Sequence, residues 1–422
     1  MSITIPGIED YDVVIIGAGI VGASSALWIQ PLGQSVLLVD HQPPGSGASF
    51  GNACTIATYG CIPINSPAIF RRLPGLVFSK DSPLRIDWWH ALTHLPWQMG
   101  FLRNCMPRRV EQICSHLGHL LALTDAGLDP LIERCNATGL VADRRGCIYI
   151  FTSERGFEEA RPDSETRRHY GADFIELSAD EFRDVEPNVR MVVHRALSFG
   201  NTRFLRDPQG LVQTFVRQFV EDGGCFVQAR VSRVYPDTDK VTITFDDGST
   251  IRCRQLVVAA GAWSKNIAGS GAEDLPLDTE RGYHVMFSDL GDLVNQPIAW
   301  VEGGFYTTPM DQGLRLAGTV ELAGLNPRLN QSRIDYLTRK AHQIFGNIGP
   351  PDDTWLGFRP TFPDSMPVIG PSHRSPRIIF AFGHQHIGLT LGGATGMLVA
   401  ELVACVQPSV DLAPFSATRF VR

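Results

Sequence analysis

The chain has 422 residues, 44% hydrophobic and 19% charged, with a formal net charge of −7. That length exceeds what one core usually fills and argues for two domains, and the ordinary apolar content excludes a disordered or fibrous chain. The acidic balance excludes a nucleic-acid binder, because neutralising phosphates needs a basic face that the short pairs Arg71–Arg72 and Arg108–Arg109 do not make.

The nine cysteines are odd in number, dispersed and free of any CxxC pair, which fits free thiols in a reducing compartment. Acidic Glu9 and Asp10 stand before the first apolar run, and glycines and serines interrupt residues 13–29. Neither a basic export signal nor an unbroken spanning helix is read there. The expected location is the cytoplasm, with peripheral contact at the inner face of the membrane as its outer limit.

Residues 12–16 (DVVII) read as a buried strand, 17–22 as a turn, 23–30 as a helix that Gly33 ends, and 35–39 (SVLLV) as a second, parallel strand. Gly17-Ala18-Gly19-Ile20-Val21-Gly22 fits GxGxxG in the context that gives the pattern weight, between a strand and a helix. Gly17 permits the tight turn, Gly19 lets backbone approach a pyrophosphate, Gly22 lets the helix pack on the strand, and the helix start at Ile20 and Val21 receives the anion. Asp40 comes 18 residues after Gly22, where a carboxylate accepts from ribose hydroxyls and repels a 2′-phosphate; His41 joins the same wall. Together these features specify a dinucleotide site. Residues 43–53 (PPGSGASFGNA) then make a small-residue loop. It can lay backbone N–H groups and the hydroxyls of Ser46 and Ser49 along a pyrophosphate and ribityl chain, with Gly51 and Asn52 closing it, which favours FAD over NAD.

From about 85 to 195 the pattern turns helical, with a strand near 147–152 and a charged helix near 154–169. Helix 210–221, strand 225–228, a hairpin around 246–248 and strand 256–260 look like a return to the first sheet. Strands at 283–288, 297–308 and 314–320 follow, then 378–382, a glycine-rich turn and helix 392–405. No linker marks a boundary, so the domains interleave.

Four ordered blocks, DVVIIGAGIVGASSALWI with LLVD, GSGASFGNA, LVVAAGAWS, and GFRPTFPDSMPVIG with GHQHIGLTLGGATG, span almost the whole length. In them the chain resembles the D-amino-acid oxidase superfamily of flavoproteins, closest to bacterial D-amino-acid dehydrogenases, with glycine and sarcosine oxidases as cousins. The resemblance implies an α/β fold in which a Rossmann-type, glutathione-reductase-like FAD domain (1–90, 195–275 and 365–422) is interleaved with a mixed-sheet α+β substrate domain (91–194 and 276–364). It implies non-covalent FAD, so Cys54 is expected to carry no flavin link, and no Cys/His spacing points to a metal.

Position by position, Ser49 and Asn52 match flavin-side contacts, Val231 a backbone contact to adenine, and Ala260 and Gly261 a stretch passing the cofactor. Gly383, His384, Ile387, Gly388, Leu389 and Thr390 match a turn and helix start facing the flavin pyrimidine edge, where a helix N-terminus stabilises the charge that reduction brings. His384 and His386 also read as structural turn residues. The resemblance implies Arg359 as a bidentate carboxylate clamp and Tyr306 as a hydroxyl donor to the same carboxylate. An ion pair between Arg359 and Asp364, and a core tyrosine, are the competing readings. His284 and Glu321 lie on strands able to face the pocket. The sequence departs from the family pattern at Asp40, usually glutamate, and at Gln385 and His386, where the turn is usually richer in glycine.

The implied activity is FAD-dependent oxidation of the C–N bond of a small amino or imino acid: a D-amino acid, an N-substituted glycine or an imino diacid. Hydride passes from Cα to flavin N5, the imine hydrolyses to an oxo acid, and oxygen, a quinone or an electron-transfer protein reoxidises the flavin. No acid/base pair is needed where binding favours the neutral amine. Two rivals stay open. One is a flavin dehydrogenase of 2-hydroxy acids, which needs a base for which His284 and His386 are the candidates; the other is a non-catalytic FAD-bearing subunit of a hetero-oligomeric amine dehydrogenase.

Overall fold

The computed structural model describes residues 10–67, 81–142 and 146–421; Glu9 and the Arg71–Arg72 pair lie outside the described residues. The run DYDVVII forms strand Asp10–Ile16, hydrogen-bonded in parallel on both edges, to Val36–Asp40 and to Thr250–Val258. A strand paired on both edges and covered on both faces must be apolar throughout, and Val13, Val14 and Ile15 are fully buried. Cys225–Gln228 extends this sheet beyond Val36–Asp40, and Ile378–Phe382 joins it beside Thr250–Val258.

The first helix is Ile20–Ile29, beginning inside the glycine motif rather than after it. It packs against helices Pro208–Glu221 and Gly388–Val403 in one core layer, while the strands Val231–Pro236 and Val241–Phe245 help to close the other face. Asp40 ends the second strand and so emerges at the carboxyl edge of the sheet beside the helix start, where open α/β sheets bind ligands.

Among the described residues the second sheet has nine strands. In spatial order they begin with Asp353–Thr361, Asp278–Phe287, Gly313–Leu322, Phe305–Met310 and Ile298–Trp300. Helix Gln331–Phe345 covers one face, burying Ile334, Leu337, Ala341 and Ile344 at helical spacing. The other face meets the loop that follows Asp40: the Arg315 Nη1 donates to the carbonyl of Phe50 at 2.8 Å.

Two strands differ from expectation. The segment expected to start at 283 starts at Asp278, because Asp278, Glu280 and Arg281 are strand residues whose charges mask the pattern. The segment 297–308 is two strands, Ile298–Trp300 and Phe305–Met310, separated by a turn in which Gly304 has φ 67°. Sheet membership also divides the chain more finely than the expected segments: Leu84–Ile86 and Arg195–Phe199 pair within the second sheet, and helix Thr124–Arg134 contributes Leu128, Leu131 and Ile132 to the core around the first helix.

Candidate active site

A cavity of about 720 Å³ runs from Asp40, His41 and Val231, past the glycine turn and the 45–53 loop, to Gly383–Gln385 and finally to Tyr306 and Arg359 on the second sheet. That volume is in the range of sites enclosing a large organic ligand. At its first end Asp40 is the organiser. Its Oδ2 accepts from the Ala18 N–H at 2.7 Å and its Oδ1 from the Gln42 N–H at 2.9 Å, which leaves lone pairs on both oxygens for ribose hydroxyls. The Ser49 hydroxyl accepts from the Ile20 N–H at 3.0 Å and so ties the loop to the helix start. Asn52 braces the loop internally, donating to the Ser49 carbonyl at 2.9 Å and accepting from the Cys54 N–H at 2.8 Å. Ser46 lines the cavity but donates its hydroxyl to the Pro43 carbonyl.

Gly17 and Gly22 each stand where backbone leaves no room for a side chain. A Cβ on Gly17, at φ 111°, would lie 2.4 Å from the Ala259 carbonyl oxygen, and one on Gly22 would lie 1.8 Å from the carbonyl oxygen of Gly17. Gly22 therefore supports the turn from behind and does not line the cavity.

At the substrate end, Arg359 lies across Gly282, whose added Cβ would fall 2.3 Å from Nη2. Its Nη1 donates to the Thr319 carbonyl at 2.9 Å. Opposite Gly282 the strand Gly313–Leu322 bulges, since Arg281 pairs with Glu321 but Tyr283 with Gly318, and Thr319 is held at φ 58°. A β-branched residue at positive φ is strained, and here the strain accompanies a carbonyl turned toward the guanidinium. No carboxylate among the described residues lies in ion-pair range of Arg359; Asp364, the competing partner, pairs with Arg419 at 2.7 Å instead. Tyr306 lines the same end, its hydroxyl 2.7 Å from that of Tyr149.

Several expected residues stand elsewhere. Glu321 faces helix Gln331–Phe345, paired with Arg281 at 2.9 Å and accepting from Asn330 at 2.6 Å and from the Tyr283 hydroxyl; the alternation of the strand turns it away from the cavity. His284 is fully buried behind the wall. Its ring stacks on Trp355 with Nδ1 3.3 Å from the Gly51 carbonyl, and burial pushes its pKa down to about 3. Thr390 accepts from the Ala57 N–H at 2.9 Å, and Ile387 is buried in the adjoining core; both stand behind the lining. His384 reaches the lining but spends its Nε2 on the Thr395 hydroxyl at 2.9 Å, and burial lowers its pKa to about 3. His386 is exposed and presents its surface to the cavity; desolvation by the protein around its ring and the charges of Arg359 and Arg167 hold its pKa down to about 4.

The sequence reading missed three groups: Tyr149, which orients Tyr306; Glu280, a buried acid on the cavity wall opposite Arg359; and a grouping of His90, His94 and Asp278 whose ligand atoms lie within 4.8 Å of one another. The last joins residues 188 apart, with His90 Nε2 2.9 Å from Asp278, so no local spacing could have flagged it. All nine cysteines are free, Cys54 among them and buried.

A parallel sheet with a glycine turn and an acid closing its second strand, continued by a cavity that ends beneath an unpaired arginine on a second sheet, defines a dinucleotide-dependent oxidoreductase. The family model described as FAD dependent oxidoreductase (DAO) matches residues 12–402, and the chain belongs to that family. It is 34% identical over 426 aligned residues to a D-amino-acid oxidase of Bradyrhizobium diazoefficiens, covering 98% of this chain and 100% of that one. Its fold is similar to that of glycine oxidase from Geobacillus kaustophilus (TM-score 0.73, 22% identity, 98% and 100% of the two chains). Iminodiacetate oxidase from Chelativorans sp. BNC1 is similar as well (TM-score 0.72, 20% identity, 96% and 98%). The protein is thus an FAD-dependent amino-acid oxidase or dehydrogenase, acting on amino acids or related substrates. The small-residue walls at Gly17 and the 45–53 loop, with the bidentate role of Asp40, fit that cofactor. No helix among the described residues is long and apolar enough to cross a membrane.

Proposed function

We propose that the protein oxidises the C–N bond of a small amino or imino acid whose carboxylate is clamped by Arg359. The observation that carries this reading is a deep guanidinium on the cavity wall, bonded to a carbonyl and without a carboxylate partner among the described residues. A cation in such a place is costly until an anion arrives, and a carboxylate can take two parallel N–H bonds from it. The Tyr306 hydroxyl, fixed by Tyr149, adds a donor at the same end. FAD would be held non-covalently by the residues around Asp40, the glycine turn and the 45–53 loop, with Val231, Ala260, Gly261, Gly383–His386, Gly388 and Leu389 lining the rest of the cavity, and it would supply the two-electron acceptor. The chain's own task is alignment: Arg359 and Tyr306 fix the carboxylate so that one face of Cα is presented, and the walls exclude water from the imine until it leaves.

The 2-hydroxy-acid alternative loses both of its histidine candidates here: His284 stands behind the wall, and the pKa of His386 is lowered to about 4, far from the value at which a base works well at neutral pH. Product analysis tests the choice. Turnover of a D-amino acid or an N-substituted glycine should yield a 2-oxo acid and ammonia or amine in equal amounts; a preference for 2-hydroxy acids would reverse the assignment.

For the electron acceptor, the surface of residues 85–109 favours a quinone or carrier at the inner membrane face over dissolved oxygen. Trp88, Trp89, Leu92 and Met99 are 59%, 78%, 63% and 70% exposed. Arg85, Arg103, Arg108 and Arg109 are exposed in the same stretch of chain, and Asp87 is engaged as a helix cap for Trp89 and His90. Exposed tryptophans beside arginines suit an anionic lipid surface. The protein should co-sediment with vesicles containing phosphatidylglycerol and lose most of that binding in Trp89→Ser/Arg103→Glu. Full-rate turnover with oxygen and no vesicle binding would sink the idea.

A further inference from the structure

We infer that Glu280 takes the proton from the substrate's ammonium, acting beside the Arg359 clamp as the base that readies the amine for oxidation. This rests on the proposed amine substrate. Glu280 stands directly opposite Arg359 in the antiparallel pair formed by Asp278–Phe287 and Asp353–Thr361, so both side chains leave the same face of the sheet. Directly opposed Cβ atoms are about 4.5–5.5 Å apart, and the Arg359 side chain runs across Gly282, the next residue of that face after Glu280. An acid and a cation thus flank one spot on the cavity wall, the pattern that complements the carboxylate and ammonium of one α-amino acid.

Glu280 is also unspent. It is 2% exposed, lines the cavity, and its Oε2 has no hydrogen-bond partner. A buried carboxyl without a donor is costly, so a ligand ammonium would satisfy it. Contrast Glu321 on the opposite face, whose oxygens are taken up by Arg281, Asn330 and Tyr283. Burial raises the pKa of Glu280 to about 7, with Arg359 pulling it down and Asp278 pushing it up, which lets it accept a proton at neutral pH and return it to solvent. Two other titratable groups of this end keep their charge through that range: His386 is neutral above about 4, and burial holds Tyr306 well above its ordinary value.

The step balances. One N–H bond of the ammonium breaks and an O–H bond forms on Glu280, and the N–H electron pair stays on nitrogen. That lone pair then forms the C=N bond of an iminium as the Cα hydrogen leaves with its bonding pair as hydride; the FAD this chain would hold supplies the two-electron acceptor, so the substrate is oxidised by two electrons. The proton leaves Glu280 once the imine has gone.

The test is the pH profile of kcat/KM for wild type and Glu280→Gln, both loaded with FAD, from about pH 6 to about pH 10. Wild type should rise to a plateau above about pH 7. Glu280→Gln should lose that inflection, run about 10²-fold slower near neutrality, and approach wild type only where the free substrate loses its own ammonium proton. Glu280→Asp should restore an inflection at a shifted pH. Benzoate, a carboxylate without an amine, should bind Glu280→Gln at least as tightly as wild type, read from the flavin spectrum. A wild-type profile in Glu280→Gln overturns the inference, and so does loss of benzoate binding in step with activity, which would make Glu280 only a support for Arg359. A Glu280→Gln that fails to hold FAD leaves Glu280→Asp to decide, an unshifted inflection there counting against a base at this position. If wild type reduces its flavin with no amino or imino acid, the amine reading itself falls.

Discussion

Gly17→Ala is expected to give a protein that retains little or no FAD. At φ 111° a side chain is strained before any neighbour is considered, and the new Cβ would stand 2.4 Å from the Ala259 carbonyl oxygen and 2.9 Å from the Ala260 Cα. Both are backbone atoms at the end of the central strand Thr250–Val258, so neither can swing aside. Strain alone costs about 1–3 kcal/mol, and relieving the overlap must move the turn whose Ala18 N–H is held by Asp40. At about 1.4 kcal/mol per decade, FAD should bind at least about 10-fold to 100-fold more weakly. Gly139→Ala, where an added Cβ meets nothing within 4 Å, is the control. Flavin absorbance of the purified proteins and fluorimetric titration of the stripped chains measure both, with melting curves to separate loss of cofactor from loss of fold.

Arg359→Ala is expected to cost about two to four powers of ten in kcat/KM for carboxylated substrates while FAD is retained. A charge-assisted hydrogen bond is worth about 1.5–3 kcal/mol, and the clamp makes two. Arg359→Lys should recover little, because a single ammonium can neither fork to a carboxylate nor hold the Thr319 carbonyl at the same time. An amine lacking the carboxylate should be a poor substrate for wild type and equally poor for the variant. That pairing separates a lost clamp from a damaged fold. Wild-type efficiency in Arg359→Ala with a carboxylated amine would remove the clamp.

What could be read from the sequence follows from how local each feature is. The glycine turn, Asp40 and the loop after it are contiguous, and their chemistry depends on backbone that neighbouring residues set; the last of the four blocks pointed to Arg359, and a separate likeness around residues 305–309 to Tyr306. The orientation of a side chain on a strand buried from both faces is not local. Glu321 and His284 both looked able to face the pocket, yet a bulge at Thr319 and Val320 and the pairing with Arg281 send Glu321 to the helix side. His284 lies one residue from Tyr283 in a strand apolar or buried at every position after Asp278, so alternation could not tell wall from cavity. Glu280 escaped notice for the opposite reason: a charged residue beside Asp278 and Arg281 reads as loop, and only the register against Asp353–Thr361 brings it to Arg359.

Anaerobic mixing of the FAD-loaded protein with a panel of substrates tests the central claim most directly, since flavin bleaching reports the reductive step without any assumption about the acceptor. The panel holds D-amino acids, N-methylglycine and imino diacids, with their decarboxylated amines and the matching 2-hydroxy acids. The account predicts that at least one carboxylated amine bleaches the flavin within turnover time and that its decarboxylated and hydroxy counterparts do not. A flavin that stays oxidised with every amino and imino acid, or is bleached as fast by a 2-hydroxy acid, would contradict it.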